Sequence, residues 1–301
     1  MISSLDSESL RFLSDLNQIQ QRSERAQREL TSGLKINTIS DAPDQIGSLW
    51  QERWELDSAK QVDANLGRVK AEVDSAQTAL GSAVTLVERA QTLGSQGATG
   101  TATAQDRIEI AGEIGSVLER LVGVANTNVE GRYIFSGNND QQPPYTVDLT
   151  QANPVSAYQG SAATRQVQNW DGARITVGKT AQEIFDAPNA QQNVFVVVAN
   201  LRTALLNNDQ AGITTAATDL QTSGAYLNLQ LASYGSLQNQ VAGGLDSSKT
   251  RETQLQTALS GIQDADLTQA VTELNQAQLQ QQAALQSRAR LPRTTLFDFL
   301  A

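Results

Sequence analysis

The side chains that most enzymes use for chemistry are scarce in this sequence. It contains no histidine and no cysteine, which excludes Ser-His-Asp triads, Cys-His pairs and zinc sites with histidine ligands. Enzyme chemistry would therefore fall to carboxylates, lysine, tyrosine and serine. Among the carboxylates, Asp264 and Asp266 form a closely spaced pair. We favour a structural role for both, because they interrupt the apolar pattern before the last long helix and Asp266 can cap that helix. The sequence predicts no catalytic residue, cofactor or metal site.

Basic residues cluster on the first helix. Arg22, Arg25 and Arg28 lie three residues apart, with Glu24 and Glu29 beside them. A solvated, salt-bridged face is one interpretation. The other is a contact with the acidic stretch 264–273, in the same subunit or in a neighbouring one.

Charge and hydropathy narrow the function classes. The 301 residues carry a net charge of -10 and have a pI near 4.6, which argues against nucleic acid, where binding rewards basic faces, and against anionic membranes. The first residues lack the pattern of a secretory signal peptide. No apolar stretch approaches the length of a membrane span. Export of this chain would use a route that does not read such a signal.

The sequence predicts two terminal helices, near residues 10–33 and 267–288. Any assembly interface formed by the two ends of the chain would be positioned by these helices. Their apolar residues step by three, four or seven, which is typical of a coiled-coil seam. Ser23, Gln278 and Gln281 interrupt the two seams. The predicted seam residues are Phe12, Leu16, Ile19, Ala26 and Leu30 in the first helix and Leu267, Val271, Leu274 and Leu285 in the last.

Neither terminal helix can bury its seam without a partner, since isolated helices are marginal in water. We expect the two ends to pair with each other, with copies of the chain, or with both. We also expect residues 1–45 and 260–301 to be disordered in the monomer and to fold when neighbouring subunits cover them. Protease digestion of the free monomer tests this expectation.

The centre of the chain predicts a mainly α fold: an elongated antiparallel helical bundle with a small β-rich insertion. Heptad-like apolar runs occupy residues 62–90, 110–124 and 213–241. A helical stalk domain is expected over 46–135 and 190–259. Four of the six prolines lie between 136 and 189, where RQVQNW and ARITVG predict short strands of an outward-facing insertion.

The carboxyl end carries a second candidate interface. Leu296, Phe297, Phe299 and Leu300 form an apolar cluster near the terminus. Clusters of this kind usually mark interaction sites. We expect this one to contact a neighbouring subunit or an export chaperone.

Four segments resemble the flagellin superfamily, and more closely its hook–filament junction proteins. They are ELTSGLKINTISDAPDQIG at residues 29–47, EGRYIFSGN at 130–138, the stretch from AYQG to EIFDA at 157–187, and IQDADLTQAVTELNQAQLQQQAALQ at 262–286. The similarity runs end to end. GRYIFSGN, YQG and the ending LFDFLA favour the junction proteins over filament flagellins.

The resemblance implies a structural, non-enzymatic part of the bacterial flagellum, secreted through the type III apparatus with a chaperone on its carboxyl end. Its terminal coiled coils would assemble in a helical tube, with another hook-associated junction protein on the hook side and flagellin on the filament side. A filament flagellin is the main alternative. An adhesin-like module, with Tyr145, Tyr158, Trp170 and Phe185 in the insertion binding a ligand, is a more remote one. An enzyme on this scaffold is disfavoured by the missing histidines.

Overall fold

The computed structural model describes residues 2–290, with side chains from residue 9 to residue 289. The fold is mainly helical with a few short strands, as the sequence predicts. The helices are α1 (Ile2–Ser32), α2 (Ile46–Gly97), α3 (Ala104–Ala125), α4 (Ala181–Phe185), α5 (Val194–Leu206), α6 (Gln210–Gln263) and α7 (Leu267–Arg290), with a 3-10 turn at Ile39–Asp41. No helix within residues 2–290 is both long and apolar enough to cross a membrane.

The described residues divide into two compact units. The terminal unit contains residues 2–58 and 251–290, and the central unit contains residues 59–250. The boundary between the two units crosses α2 and α6, so each unit contains part of both helices. The terminal unit also contains all of α1 and α7.

The core of the central unit follows the predicted apolar runs. Every α2 position predicted from Leu66 to Ala90 is buried. Ile114 and Leu121 of α3 and Leu220 and Leu227 of α6 are also buried. The partners of α2 along α6 run in the opposite direction: Gln91 Nε2 donates to the Leu220 carbonyl at 2.9 Å, and Gln238 Nε2 donates to Asp74 Oδ1 at 2.6 Å. These contacts make the two long helices antiparallel, as predicted.

Four short strands form two antiparallel hairpins. β1 (Asn128–Val129) pairs with β2 (Arg132–Tyr133), and β3 (Gln166–Gln168) pairs with β4 (Arg174–Thr176). The second hairpin confirms the strands predicted from RQVQNW and ARITVG. Its turn places Gly172 at a φ of +85°, a conformation that glycine adopts without steric cost.

The aromatic residues of the insertion pack against the helices. Tyr145 and Phe185 are fully buried and lie 5.0 and 5.7 Å, centroid to centroid, from Phe195 of α5. Phe135, which directly precedes segment 136–189, lies 6.3 Å from Tyr234 of α6 in an edge-on arrangement, and Lys179 N in the segment donates to the Tyr234 hydroxyl at 3.0 Å. Segment 136–189 thus shares its hydrophobic core with α5 and α6, and the aromatic side chains there stabilise the fold. Trp170 is the exception and stays exposed at the hairpin turn.

Two of the segments that carry the family resemblance contact each other. The Ser161 amide donates to the Ser136 carbonyl at 2.9 Å, and the Tyr158 hydroxyl donates to the Phe135 carbonyl at 3.2 Å. A Cβ on Gly137 would lie 2.1 Å from the Ser161 carbonyl oxygen. GRYIFSGN and YQG are therefore two sides of one tightly packed backbone junction, which explains why glycine is needed there.

Candidate assembly interface

The terminal unit is built around the pairing of α1 with α7. On α1, Ile19 and Ala26 are buried and Phe12, Leu16 and Leu30 are half-buried, with Ser23 on the same strip. This strip is the seam predicted from the sequence. Its spacing of three and four residues is that of a coiled coil.

The strip of α7 that faces α1 is made mainly of alanine. Ala270 and Ala277 are buried, while Leu274, Gln281 and Ala284 are half-buried. Alanines at seven-residue intervals let the large side chains of α1 approach the α7 backbone closely. Of the four α7 residues predicted to lie on the seam, only Leu274 lies on this strip.

The other three predicted residues lie on the exposed side of α7. Leu267, Val271 and Leu285, together with Leu279, are between 46% and 67% exposed. The only charged residue between positions 267 and 287 is Glu273, which is half-buried. The exposed face of α7 is therefore apolar or glutamine-rich and carries no charge over about five turns. As contacts between subunits, Leu267, Val271 and Leu285 remain a prediction.

The segments that connect α1 and α7 to the long helices pair with each other. Leu34 and Asp264 form an antiparallel β-bridge, with Lys35 N donating to the Gln263 carbonyl at 2.7 Å and Ala265 N to the Gly33 carbonyl at 2.9 Å. Gly33 ends α1, as predicted, in a left-handed conformation with a φ of +71°. This bridge fixes where the two terminal helices leave the long helices.

Carboxylates organise both connections. Asp41 accepts hydrogen bonds from the backbone amides of Asn37 (3.0 Å) and Thr38 (2.7 Å). Burial alone would raise the pKa of Asp41, but these hydrogen bonds outweigh it and lower the pKa. Asp41 closes a separate 3-10 turn, and α2 begins only at Ile46.

Asp264 and Asp266 have the structural roles predicted for them. Asp266 Oδ1 accepts from the amides of Thr268 (2.9 Å) and Gln269 (3.1 Å), which makes it the cap of α7. Asp264 accepts from the Ser260 hydroxyl. Among residues whose side chains are described, no group of three acidic residues could hold a metal ion.

The arginines of α1 form no ion pair with a described side chain of α7. Arg22, Arg25 and Arg28 are exposed and form no ion pair with any described side chain. Glu29 of α1 lies close enough to Glu273 of α7 for the two carboxylates to repel each other. Burial, followed by the repulsion of Glu273, raises the pKa of Glu29, although Arg25 opposes the change. Among the described side chains, these arginines form no ion pair with residues 264–273 of the same chain.

Sequence reasoning missed one contact across the helix pair. Arg288 Nη2 donates to Ser9 Oγ at 2.8 Å, and its guanidinium carbon lies 5.3 Å from the centroid of the Phe12 ring. Arg288 thus joins the last described turns of α7 to α1 by a hydrogen bond and a cation–π contact.

The comparisons with known proteins agree with this arrangement. Residues 4–140 match the bacterial flagellin N-terminal helical region, and residues 210–300 match the bacterial flagellin C-terminal helical region. The chain belongs to the flagellin family. The two matched regions contain the paired helices of the terminal unit and most of the long helices.

Individual relatives carry names from the flagellar hook. The chain is 24% identical to flagellar hook-associated protein 3 of Salmonella typhimurium, and the alignment covers 86% of each protein. The fold is similar to FlgL of Xanthomonas campestris, with a TM-score of 0.60 at 16% identity, covering 68% of this chain and 98% of that one. It is also similar to FlgL of Bacillus cereus, with a TM-score of 0.54 at 20% identity, covering 72% and 100%.

The apolar cluster of Leu296, Phe297, Phe299 and Leu300 lies outside the described residues. It remains a predicted contact for a neighbouring subunit or an export chaperone.

Proposed function

We propose that this protein is a structural subunit of the bacterial flagellum that joins the hook to the filament. The likeness to a hook-associated protein, which covers 86% of each chain, supports this position in the flagellum. The role is one of assembly rather than catalysis.

The observation that carries the proposal is the uncharged, partly apolar face of α7. The seam with α1 covers only the alanine strip, and four large aliphatic side chains remain exposed beside it. The solvent-exposed face of an amphipathic helix normally carries charged side chains. Several large apolar side chains exposed on one helix instead mark a protein contact, so we infer that neighbouring subunits cover this face in a helical tube.

The neighbours that we propose for this subunit follow from its position between hook and filament. Another hook-associated junction protein would lie on the hook side and flagellin on the filament side. The chain would leave the cell through the flagellar type III apparatus, with a chaperone bound to its carboxyl end. The disorder expected of residues 1–45 and 260–301 in the monomer stays a prediction that protease digestion of the free subunit tests.

Substitutions on α7 test this role. In the host, a chromosomal copy carrying Val271→Glu and Leu285→Glu should leave hooks without filaments, because two charges would be buried between subunits. Gln276→Glu and Ser287→Glu place charges at exposed positions on a different side of α7, about 140° or more around the helix from Val271 and Leu285. They serve as the matched control and should support filaments. Normal filaments on cells with the Val271/Leu285 variant would contradict the proposal.

A further inference from the structure

All three tryptophans of this chain are exposed, and two of them form a pair. Trp50 and Trp54 lie one turn apart on α2, inside the terminal unit, and are 60% and 71% exposed. Residues four apart share a helix face. Each indole can bury roughly 150–250 Å² when it is covered. Such a pair on the surface of a folded subunit is typical of a binding surface.

The surroundings of the pair are acidic. Residues 41–57 contain five acidic side chains and one basic side chain, Arg53. That arginine is already occupied, since its Nη2 donates to Gln263 Oε1 at 2.8 Å. Asp57 is exposed three residues after Trp54 on the same helix face, and Asp44 is exposed in the turn before α2. The tryptophan face, defined as Trp50, Trp54 and Asp57 with Asp44 in the adjoining turn, therefore combines two aromatic rings with nearby carboxylates.

The arginine face of α1, formed by Arg22, Arg25 and Arg28, has the complementary chemistry. A guanidinium can stack on an indole ring and pair with a carboxylate at the same time. The two faces also match in length. At about 1.5 Å per residue, Arg22 to Arg28 span about 9 Å and Trp50 to Asp57 about 10.5 Å. Within one chain both faces stay exposed, so α1 of the same subunit does not satisfy the tryptophans.

We propose that the tryptophan face of one subunit binds the arginine face of α1 in a second copy of this chain. The two faces are different surfaces of the same terminal unit, so the contact is head-to-tail. Repetition of a head-to-tail contact builds a ring or a helical array rather than a closed dimer. The inference rests on the proposed function only in that copies of the chain must meet.

Site-specific photo-crosslinking in flagellated host cells tests the contact. One tagged copy carries Trp54→p-benzoylphenylalanine and a second copy carries a different tag. Irradiation should give an adduct between the two copies, and mass spectrometry should map it to the α1 peptide containing residues 22–28. The same probe placed at Trp170, on the hairpin turn, is the matched control and should give no adduct with that peptide.

A charge exchange separates the contact from general damage. Arg22→Glu, Arg25→Glu and Arg28→Glu together should reduce the adduct at least tenfold. Adding Asp44→Arg and Asp57→Arg to the copy that carries the probe should restore it. Circular dichroism of the purified variants checks that the helices are retained. An unchanged adduct in the triple variant, or no rescue by a folded exchange variant, would overturn the inference.

The location of the adduct decides between the possible partners. An adduct that maps to α7 of a second copy, an adduct with a different protein, or no adduct at all would each overturn the inference. If filaments persist after deletion of the gene, the proposed function itself fails. If deletion removes the filaments while the adduct maps elsewhere, the tryptophan contact alone is wrong.

Discussion

Arg288 of α7 covers the ring of Phe12 on α1, with 5.3 Å between the guanidinium carbon and the ring centroid. The two residues are 276 positions apart in the chain, yet they meet because α1 and α7 run antiparallel. The contact lies near the end of the described part of the helix pair. It adds a contact in turns where the side chains between α1 and α7 are only half-buried.

Removal of this contact should loosen the end of the pair. Arg288→Gln is expected to destabilise the α1–α7 pairing by about 0.5–1 kcal/mol, since an exposed cation–π contact is lost. Faster hydrogen–deuterium exchange in residues 9–16 would report the change. Arg174→Gln, on β4 of the central unit, is the control. Equal exchange in both variants would show that Arg288 contributes nothing to pairing.

The alanine strip predicts a strong contrast between two positions on α7. Ala277 is 3% exposed, whereas Leu279 is 67% exposed. Ala277→Glu should destabilise the pairing by about 3 kcal/mol or more, because an unpaired carboxylate would be buried in the seam. Leu279→Glu should leave the pairing within the subunit unchanged. Urea unfolding followed by circular dichroism measures both variants, and similar losses for the two would refute this assignment of the seam.

The pairing of α1 with α7 should also depend on pH through Glu29. Burial and the nearby Glu273 raise the pKa of Glu29 above its unfolded value of 4.5. The paired state therefore binds this proton more tightly than the unfolded state does. Stability from this group is fully present below the unfolded pKa and is lost as the pH rises through the raised pKa.

Glu29→Gln should therefore stabilise the pairing at pH 7. It should also reduce the stability that the pairing gains when the pH is lowered towards 4.5. Asp41 acts in the opposite direction, because its lowered pKa removes stability as the pH falls. Asp41→Asn is the comparison that isolates this opposing effect. Urea midpoints measured between pH 4 and pH 7 test both signs. A Glu29→Gln variant that is less stable than the parent at pH 7 would contradict this account.

A buried arginine fastens one end of the central unit. Arg107 is 6% exposed and donates to the carbonyls of Gly97 (3.0 Å) and Thr99 (3.4 Å). It also donates to the side chains of Asn208 and Gln210. The guanidinium thus satisfies carbonyls at the end of α2 and ties them to the start of α6.

Arg107→Met should lower the free energy of unfolding by about 1.5–3 kcal/mol, since hydrogen bonds to a charged donor are lost and carbonyls are left unsatisfied. Arg107→Lys should recover only part of this loss, because an ammonium lacks the planar fork of donors. Arg120→Met, on an exposed position of α3, is the control. Urea unfolding of the whole chain that finds Arg107→Met and Arg120→Met equally stable would exclude this role.

Large side chains explain which parts of the fold the sequence could predict. The α1 seam and the α2 core were readable because Phe12, Ile19, Leu66 and Leu80 stand out from polar neighbours at heptad spacing. In α7 the same reasoning selected Leu267, Val271 and Leu285, although the chain buries Ala270 and Ala277. An analysis of apolar spacing selects the largest apolar side chains. A closely packed helix pair can instead bury small residues such as alanine and leave the large side chains exposed to another partner.

Contacts between distant segments lay beyond the sequence. Nothing in local spacing shows that Arg288 meets Phe12, that Leu34 bridges to Asp264, or that Arg107 joins α2 to α6. The tryptophan pair had a readable signal, namely two indoles four residues apart beside several carboxylates. What the sequence could not show was that the folded subunit leaves both rings uncovered.

Deletion of the gene in its host tests the central claim most directly. Electron microscopy of the deletion strain should show complete hooks without filaments, and the culture medium should contain unassembled flagellin. A plasmid copy of the gene should restore the filaments. Filaments of normal length on the deletion strain, or the absence of flagellin itself from the cells and the medium, would contradict a role at the hook–filament junction.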